Sequence, residues 1–377
     1  MKCLCIFVTY DYENTVDVYI RYILKGLREI ADCLTVVCNY EYVLDGIGNI
    51  LPYADKIYYR QNTGFDAGAY KDVLCTYIGW DEACKYDELL LVNDSFYGPV
   101  YPFDDLVSMM EDTDADYWGL TRMPEGKFIQ EDYAFDTHIQ SYFVAVRKRV
   151  LKDRKFRKFW ERLPYAGSLQ QAVILYEIGF NDYMKKLGYK GIAVTDLRLP
   201  DYRLKANDNP HILYPLELIR DAGIPILKRK SLDLGSRGFK NALMAIKEIE
   251  SISNYEVNLI FDHMSRISKF VRSRGFIDFK ALDEFYRNHS KIYIYGAGVY
   301  GRNLEYYFNY KGWKLEGFFV TEGENLPKDC RIFGSVDIES NDGIIIAIMD
   351  ESIYSEILKI LEKHCKKNQI FSEDWCV

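Results

Sequence analysis

The sequence LLLVNDSFYGP, residues 89–99, decides the fold. Its leading apolar run predicts a strand buried on both faces, as in the middle of a parallel sheet. The strand ends at Asn93, Asp94 and Ser95, whose small side chains carry oxygen atoms. Ligands of open α/β sheets bind beyond the carboxyl ends of strands, and a carboxylate there can hold a divalent cation and, through it, a diphosphate. The same residues are favoured helix N-caps, so this fragment alone is compatible with two interpretations, a helix cap and a ligand site.

The segments around this strand alternate between strand and helix patterns. The predicted strands are residues 3–8, 34–38, 56–59, 116–122 and 140–146, and the predicted helices are residues 16–31, 67–77 and 171–187. This order predicts a parallel sheet with right-handed crossovers.

The pattern changes twice further along the chain. A length of 377 residues favours two domains over one. Helical periodicity without proline follows the first α/β region, and a new strand–helix alternation then begins. We therefore expect an α/β domain over residues 1–230, a helical connector over residues 231–289, and a small doubly wound Rossmann-like domain over residues 290–377.

Composition excludes several classes of protein. The net charge of −8 argues against a general nucleic-acid binder, which needs a basic face. The nine cysteines are scattered without a CxxC pair, so they indicate neither a zinc site nor a disulfide framework, and a reducing cytoplasm fits best. No apolar segment reaches membrane-spanning length, so we expect at most peripheral membrane contact. The 32 tyrosines suit sites that stack on bases or sugars.

Two further segments carry candidate chemistry. NTGFDAGAY, residues 62–70, places two glycines before a predicted helix, whose first N–H groups can bind phosphate or hydroxyl oxygens. Asp66 in this loop is either a helix cap or an acceptor for sugar hydroxyls. Glu177 lies near the start of a helical run, and Asp182 is too far round that helix to share its face. A lone carboxylate in an apolar neighbourhood can have a raised pKa and act as a base, although a solvated helix face is the more common explanation.

The segments in this order resemble the rhamnan synthesis protein F family, which makes cell-surface polysaccharides with glycosyltransferases of the GT-A (nucleotide-sugar transferase) fold. The resemblance covers about residues 1–230 and implies a GT-A-like first domain. It rests on QNTGFDAGAYKDVL (61–74), LLLVNDSFYGPV (89–100), DYWGLT (116–121), HIQSYFVAV (138–146), FRKFWERL (156–163), YEIGFNDYMKKLGYK (176–190), NPHILYPLELI (209–219) and GIPILK (223–228).

The resemblance also implies roles for individual residues. Glu177 would deprotonate the acceptor hydroxyl. The remaining implied residues bind the donor, with the end of the first strand at the nucleobase and the glycine loop along the nucleotide and sugar. They are Thr9, Tyr10, Asn62, Gly64, Asp66, Asn93, Asp94, Ser95, Trp118 and Gln140.

The usual metal motif of GT-A enzymes, Asp-any-Asp, is replaced here by Asn93-Asp94-Ser95, which retains one carboxylate. A bound Mg²⁺ or Mn²⁺ would use Asp94 and diphosphate oxygens, with His211 as a further candidate ligand. A lone histidine in a loop is more often a packed or exposed side chain than a ligand. Without a metal, helix N-termini and basic residues such as Arg122 or Lys71 would carry the charge of the diphosphate.

The C-terminal segment YGAGVYG contains a GxGxxG motif formed by Gly296, Gly298 and Gly301, after a predicted strand and before a predicted helix. Glu316 and Glu322 lie near the expected position of a ribose-binding acid. The domain is too small for a full dinucleotide fold, so we expect a scaffold or regulatory role and not NAD binding.

These observations and the resemblance predict a glycosyltransferase of the hexosyltransferase type, and the inverting stereochemistry is implied by the resemblance alone. By family analogy it would move rhamnose from a nucleoside-diphosphate donor to a cell-surface polysaccharide or lipid-linked glycan, in the cytoplasm at the inner face of the cell membrane. One alternative is a nucleotide-sugar oxidoreductase that uses the C-terminal glycine motif, although the sequence lacks a convincing Tyr-any3-Lys pair after it. The other is a sugar-nucleotide-binding protein without catalytic activity.

Overall fold

The computed structural model describes residues 1–199, 204–270, 275–323 and 326–371, and it divides into two compact units. The first unit consists of Met1–His211, Leu216–Lys228 and Ile252–Tyr255. The second consists of Ile212–Pro215, Arg229–Ser251 and Glu256–Val377, so most of the helical segment after Lys228 belongs to it.

The described residues of the first unit form thirteen strands. In chain order they are β1 (Cys3–Thr9), β2 (Cys33–Cys38), β3 (Lys56–Tyr59), β4 (Glu88–Asn93), β5 (Phe96–Tyr97), β6 (Tyr117–Gly119), β7 (Arg122–Met123), β8 (Gly126–Phe128), β9 (Tyr133–Phe135), β10 (His138–Ile139), β11 (Phe143–Arg147), β12 (Gly191–Ala193) and β13 (Leu227–Lys228).

Seven of these strands form the central sheet, in the order β12-β6-β11-β4-β1-β2-β3. β1 to β4 run parallel to one another, as the alternation of strand and helix predicts. β11 runs antiparallel to both of its neighbours, β4 and β6. The side chains of β1 are buried throughout, as are those of β4 up to Val92, which explains their continuous apolar sequences.

The helices as far as Arg220 connect these strands. They are α1 (Val18–Ile30), α2 (Phe65–Asp72), α3 (Trp80–Ala83), α4 (Asp104–Glu111), α5 (Lys148–Leu151), α6 (Arg154–Arg162), α7 (Leu169–Ala172), α8 (Gly179–Lys186), α9 (Val194–Arg198), α10 (Pro210–Leu213) and α11 (Pro215–Arg220). Asn93-Asp94-Ser95 is followed by β5, and α4 begins only at Asp104, so the helix-cap interpretation of this segment is wrong.

Two π-helical segments interrupt the predicted helices. Val73–Tyr77 follows α2, and Val173–Ile178 joins α7 to α8. Helical segments of this kind are frequent at functional sites. The predicted helix over residues 171–187 is therefore a composite, and Glu177 lies within its π-helical part.

A buried aromatic cluster fixes α2 against the helix that carries Glu177. The Tyr70 ring of α2 lies 6.3 Å from Trp160 of α6 and 5.9 Å from Tyr176. Trp160 and Tyr176 are themselves 5.5 Å apart. Because close-packed aromatic rings allow little movement, this cluster sets the position of the glycine loop relative to Glu177.

The second unit is built around a separate parallel sheet. Its strands are β14 (Lys291–Tyr295), β15 (Gly317–Val320), β16 (Cys330–Ile332), β17 (Asp342–Ile346) and β18 (Ile370–Phe371), in the order β16-β15-β14-β17-β18. The remaining helices are α12 (Phe239–Ile252), α13 (Asn258–Ile267), α14 (Phe279–Arg287), α15 (Val299–Lys311) and α16 (Glu351–His364). Among the described residues of both units, no helix has the length and apolar character needed to cross a bilayer.

Candidate functional site

Six of the sequence-predicted residues lie at one edge of the first unit's sheet. β1 and β4 are parallel, so their last residues, Thr9 and Asn93, lie at the same edge. β11 runs antiparallel to β4, so the residues before β11 return to this edge, where the Asn93 amide donates to the Tyr142 carbonyl at 3.1 Å. We call this group, residues 9–10, 93–95 and 140–142, the carboxyl edge.

Asp94 ties the ends of β4 and β1 together. Its Oδ2 accepts hydrogen bonds from the Thr9 hydroxyl and from the Tyr10 amide, both at 2.9 Å. Its backbone carbonyl accepts from the Tyr19 hydroxyl at 3.3 Å. The side chain is buried, and these hydrogen bonds offset the free-energy cost of removing a carboxylate from water.

Asn93 connects the carboxyl edge to the glycine loop. Its side-chain nitrogen donates to Asp66 Oδ2 at 2.8 Å, and its side-chain oxygen accepts from the Ser95 amide at 3.2 Å. Burial raises the pKa of Asp66, and the donors Asn93 and Ala67 oppose this effect. The charge of Glu177 raises the same pKa, whereas that of Lys228 lowers it. The charges of Glu177 and Lys228 therefore both influence the ionisation of Asp66, beside the carboxyl edge.

The glycine loop is held in place by Arg60, which precedes it. The Arg60 guanidinium donates to Asp72 Oδ2 at 2.7 Å, to Asn39 Oδ1 at 2.6 Å and to the Thr63 carbonyl at 2.7 Å. The Asn39 side-chain nitrogen donates in turn to Asn62 Oδ1 at 3.0 Å. Sequence reasoning missed Arg60 and Asn39, although Asn39 directly follows the predicted strand at residues 34–38.

Gly64 turns the chain into α2. Its φ of +74° is in the left-handed region, which favours glycine. A Cβ atom there would lie 2.8 Å from Cδ1 of Tyr165. The loop therefore requires glycine at this position for its backbone conformation and for its close packing.

Glu177 is surrounded by hydrogen-bond donors. Its Oε2 accepts from the Ser141 amide at 2.8 Å and from the Ser141 hydroxyl at 2.6 Å, and its Oε1 lies 3.4 Å from Nε2 of His138. Burial alone would raise the pKa of Glu177, but His138 and Ser141 lower the pKa to about 2. The expectation of a raised pKa is wrong, because these donors come from a segment far away in the sequence.

His138 has acceptors on both sides of its ring. Nδ1 lies 3.0 Å from the carbonyl oxygen of Asp136, and Nε2 faces Glu177. The ring is buried, whereas 17% of the Glu177 side chain is exposed. A substrate hydroxyl can therefore approach the exposed part of Glu177, while the buried His138 ring contacts Oε1 of the same carboxylate.

Gln140 and His211 belong to one polar network. Gln140 Oε1 accepts from the Thr121 hydroxyl at 2.7 Å, and His211 Nε2 lies 2.7 Å from the Tyr142 hydroxyl and 3.1 Å from that of Thr121. These contacts of His211 differ from the contacts of Asp94, the other predicted metal ligand.

Trp118 lies in the sheet core and not at the carboxyl edge. Its ring is 5.8 Å from that of Phe143, and its indole nitrogen donates to Glu88 Oε1 at 2.9 Å. Glu88 opens β4, at the opposite end of the strand from Asn93. The structure therefore does not bring Trp118 together with the other predicted donor-binding residues.

The two basic residues considered for the diphosphate have structural partners. Arg122 binds both carboxylate oxygens of Asp196, with contacts between 2.6 and 3.0 Å. Lys71 donates to the Leu163 carbonyl at 2.6 Å. Both side chains therefore help to hold the first unit together.

Lys228 is the basic residue that the structure brings to the carboxyl edge. Its ammonium donates to the Ser95 hydroxyl and lies 4.1 Å from the centre of the Tyr142 ring. Sequence reasoning missed it, because the contact depends on the pairing of β13 with β5 across more than a hundred residues. Its position at the end of GIPILK was the available signal.

The side chains at this strand end do not match what a divalent cation requires. Mg²⁺ and Mn²⁺ prefer several oxygen ligands, often carboxylates. Here the side-chain oxygen of Asn93 and Oδ2 of Asp94 already accept hydrogen bonds, and the Ser95 hydroxyl is bound by an ammonium group.

The second unit contains the other predicted site, the glycine turn after β14. Gly296 has a φ of +108°, and Gly298 caps α15. A Cβ atom on Gly301 would lie 1.9 Å from the Gly296 carbonyl oxygen, so α15 packs closely on the turn. Glu322 follows β15 at its carboxyl end, where a ribose-binding acid lies. Glu316 precedes β15, so its predicted position is wrong.

The strand order of the first unit and its carboxyl edge define a GT-A-like α/β domain, and the second unit is Rossmann-like. A family model described as rhamnan synthesis protein F matches residues 34–361. The chain belongs to the rhamnan synthesis protein F family.

Individual relatives are distant. The uncharacterized protein y4gN of Sinorhizobium fredii is 24% identical over 186 residues, and the match covers 49% of this chain but only 44% of that protein. A cytidylyltransferase from Leptospira borgpetersenii is 11% identical with a TM-score of 0.33, and the match covers 68% of this chain and 98% of that one. Core-mannan synthase A from Aspergillus fumigatus, in its Mn/GDP form, is 8% identical with a TM-score of 0.27, covering 48% and 69%. The family assignment therefore rests on the family model.

Proposed function

We propose that this protein is a glycosyltransferase that moves a sugar from a nucleoside-diphosphate donor to a glycan hydroxyl. The family description, rhamnan synthesis protein F, supports rhamnose as the sugar. The proposed acceptor is a cell-surface polysaccharide or its lipid-linked precursor. A lipid-linked acceptor would place the reaction at the inner face of the cell membrane. The observation that carries the proposal is that Asp66, Glu177 and Lys228 each hydrogen-bond to a residue of the carboxyl edge, which are Asn93, Ser141 and Ser95 respectively.

Sugar transfer with inversion needs two kinds of group. The acceptor oxygen attacks the anomeric carbon while the bond from that carbon to the diphosphate breaks, so a base must take the acceptor proton and a positive group must stabilise the leaving diphosphate. Glu177 is the proposed base. Its low pKa keeps it ionised at neutral pH, and it is partly exposed.

The donor residues are proposed on the other side of the same edge. Asn62, Gly64 and Asp66 would contact the nucleotide and sugar, and Tyr10 would contact the base. Tyr10 is 37% exposed and packs edge-on against Tyr12 at 5.4 Å, which leaves an aromatic surface available for stacking.

Nucleotide binding tests the proposed function directly. We expect at least one of UDP, dTDP and GDP to raise the melting temperature of the full chain, because binding to the folded state stabilises it. NAD is the matched comparison for the second unit. Thermal-shift measurements should include each ligand with and without Mn²⁺. Tight NAD binding, with no response to any nucleoside diphosphate, would instead support the oxidoreductase alternative.

Replacing His138 tests the ionisation of Glu177. His138→Gln removes a group that lowers the pKa of Glu177, so that pKa should rise. The protonated form of Glu177 cannot accept a proton from the acceptor. As the pH is lowered, the transfer rate of the variant should therefore begin to fall at a higher pH than that of the wild type. Ser141 continues to lower the pKa of Glu177 in the variant, so we expect the acid limb to move to higher pH without losing the contribution of Ser141. The wild-type protein should keep its activity to lower pH.

The measurement is the pH profile of kcat/KM for wild type and variant. His289→Gln is the matched control, because His289 lies in the second unit and contacts the carbonyl oxygens of Phe285 and Asn368. An acid limb that stays unchanged in His138→Gln would show that His138 does not set the ionisation of Glu177.

A further inference from the structure

Lys228 lies at the strand end where the usual metal motif of GT-A enzymes would place a cation. It lies in β13, which pairs antiparallel with β5 so that Lys228 is opposite Phe96. Its ammonium donates to the Ser95 hydroxyl and lies over the Tyr142 ring. A hydrogen bond and a cation–π contact together orient the charge, and the side chain is buried.

The charge of Lys228 acts on Asp66, one of the proposed donor-binding residues. It stabilises the ionised form of Asp66, which is hydrogen-bonded to Asn93. Like charges placed close together in a partly buried site repel strongly, so an ammonium and a divalent cation would compete for this position. The Asn93-Asp94-Ser95 segment offers one carboxylate, whose Oδ2 atom accepts two hydrogen bonds, and the side-chain oxygen of Asn93 accepts another.

We propose that the ammonium of Lys228 stabilises the leaving diphosphate in place of a divalent cation, so that donor binding does not require a metal. This inference rests on the proposed function and identifies the residue that performs one of its steps. The acceptor oxygen forms a bond to the anomeric carbon as the bond to the diphosphate oxygen breaks. The electron pair of the broken bond remains on the diphosphate beside Lys228, and the acceptor proton passes to Glu177.

The test compares the binding of a nucleoside diphosphate with that of the matching nucleoside, because only the first can contact Lys228 through phosphate. The full chain is titrated with UDP, dTDP or GDP, whichever binds, in EDTA and in Mg²⁺ or Mn²⁺. Lys228→Met should weaken diphosphate binding by about 30-fold, the loss of a charge-assisted contact. Its affinity for the nucleoside should remain within about threefold of the wild-type value.

Two further variants complete the comparison. Lys228→Arg keeps the charge and should retain diphosphate binding within about tenfold. Lys158→Met removes a charge from the exposed face of α6 and should change neither affinity. Circular dichroism checks the folding of each variant. If Lys228→Met does not fold, Lys228→Gln decides the question in the same assay, since it keeps a hydrogen-bond donor without the charge.

Three outcomes would overturn the inference, and they can be told apart. Loss of wild-type diphosphate binding in EDTA, with recovery in Mn²⁺, would show a metal site and leave the proposed function standing. Unchanged diphosphate binding by Lys228→Met would show that the ammonium makes no contact. A wild-type protein that binds no nucleoside diphosphate under any condition would overturn the proposed function as well.

Discussion

Glu177→Gln is expected to lower the kcat of sugar transfer by about a thousandfold, within the range typical of a positioned general base. Glutamine keeps the size of the side chain and can still accept from Ser141, but it cannot take the proton of the acceptor. Donor affinity should stay within about threefold of the wild-type value, since Glu177 is proposed to act on the acceptor. The measurements are single-turnover transfer with saturating donor, and titration with the nucleoside diphosphate.

Asp182→Asn is the matched control for this experiment. Asp182 is on α8, shortly after Glu177, and is not part of the proposed site. Its substitution removes one negative charge from the same helical run and should leave kcat unchanged. Unchanged turnover in Glu177→Gln would remove Glu177 from the mechanism and make Asp66 the stronger candidate base, because burial raises the pKa of Asp66.

Gly68→Ala is expected to disrupt the glycine loop. Gly68 is buried within α2, and a Cβ atom there would lie 2.2 Å from the carbonyl oxygen of Thr63. The contact is with backbone, which cannot rotate away, and the same carbonyl accepts from Arg60. Overpacking of this kind costs about 1–3 kcal/mol, which for a domain of this size lowers the melting temperature by roughly 3–10 °C.

Donor affinity should fall together with stability in this variant. Asn62 and Asp66 lie in the displaced loop, so we expect at least about tenfold weaker nucleoside-diphosphate binding. Gly48→Ala is the matched control, because Gly48 is exposed and an added Cβ would meet nothing within 4 Å. A Gly68→Ala protein that melts and binds like the wild type would show that the loop adjusts to the added methyl group.

The elements of the fold could be predicted because each one has a local pattern. The strand at residues 56–59 has the predicted bounds, and the buried runs around Leu4 and Leu90 are strands in the structure. The π-helical segment around Glu177 was not predictable, because its hydrophobic spacing does not differ enough from that of an α-helix. Strand pairs of two residues, such as β5 with β13, carry too few residues to form a pattern.

The candidate site was predicted in part. Asn93, Asp94 and Asp66 lie where strand ends and a helix start predict them, at or beside the carboxyl edge. Trp118 was assigned to the pocket by its position in a motif, but its indole is directed toward Glu88. The direction of a side chain on a strand depends on the residues it contacts across the sheet, and the sequence of the motif does not identify those residues.

By itself, the sequence determined the strand and helix order, the family, and the segments from which a site could be built, because apolar periodicity and glycine-rich turns are local properties of the chain. Only the tertiary structure decided the chemistry of that site. Glu177 has a low pKa because His138 and Ser141 fold against it, and the positive charge at the carboxyl edge comes from Lys228. Electrostatic effects depend on distances of a few ångströms between groups far apart in the chain, and folding alone sets those distances.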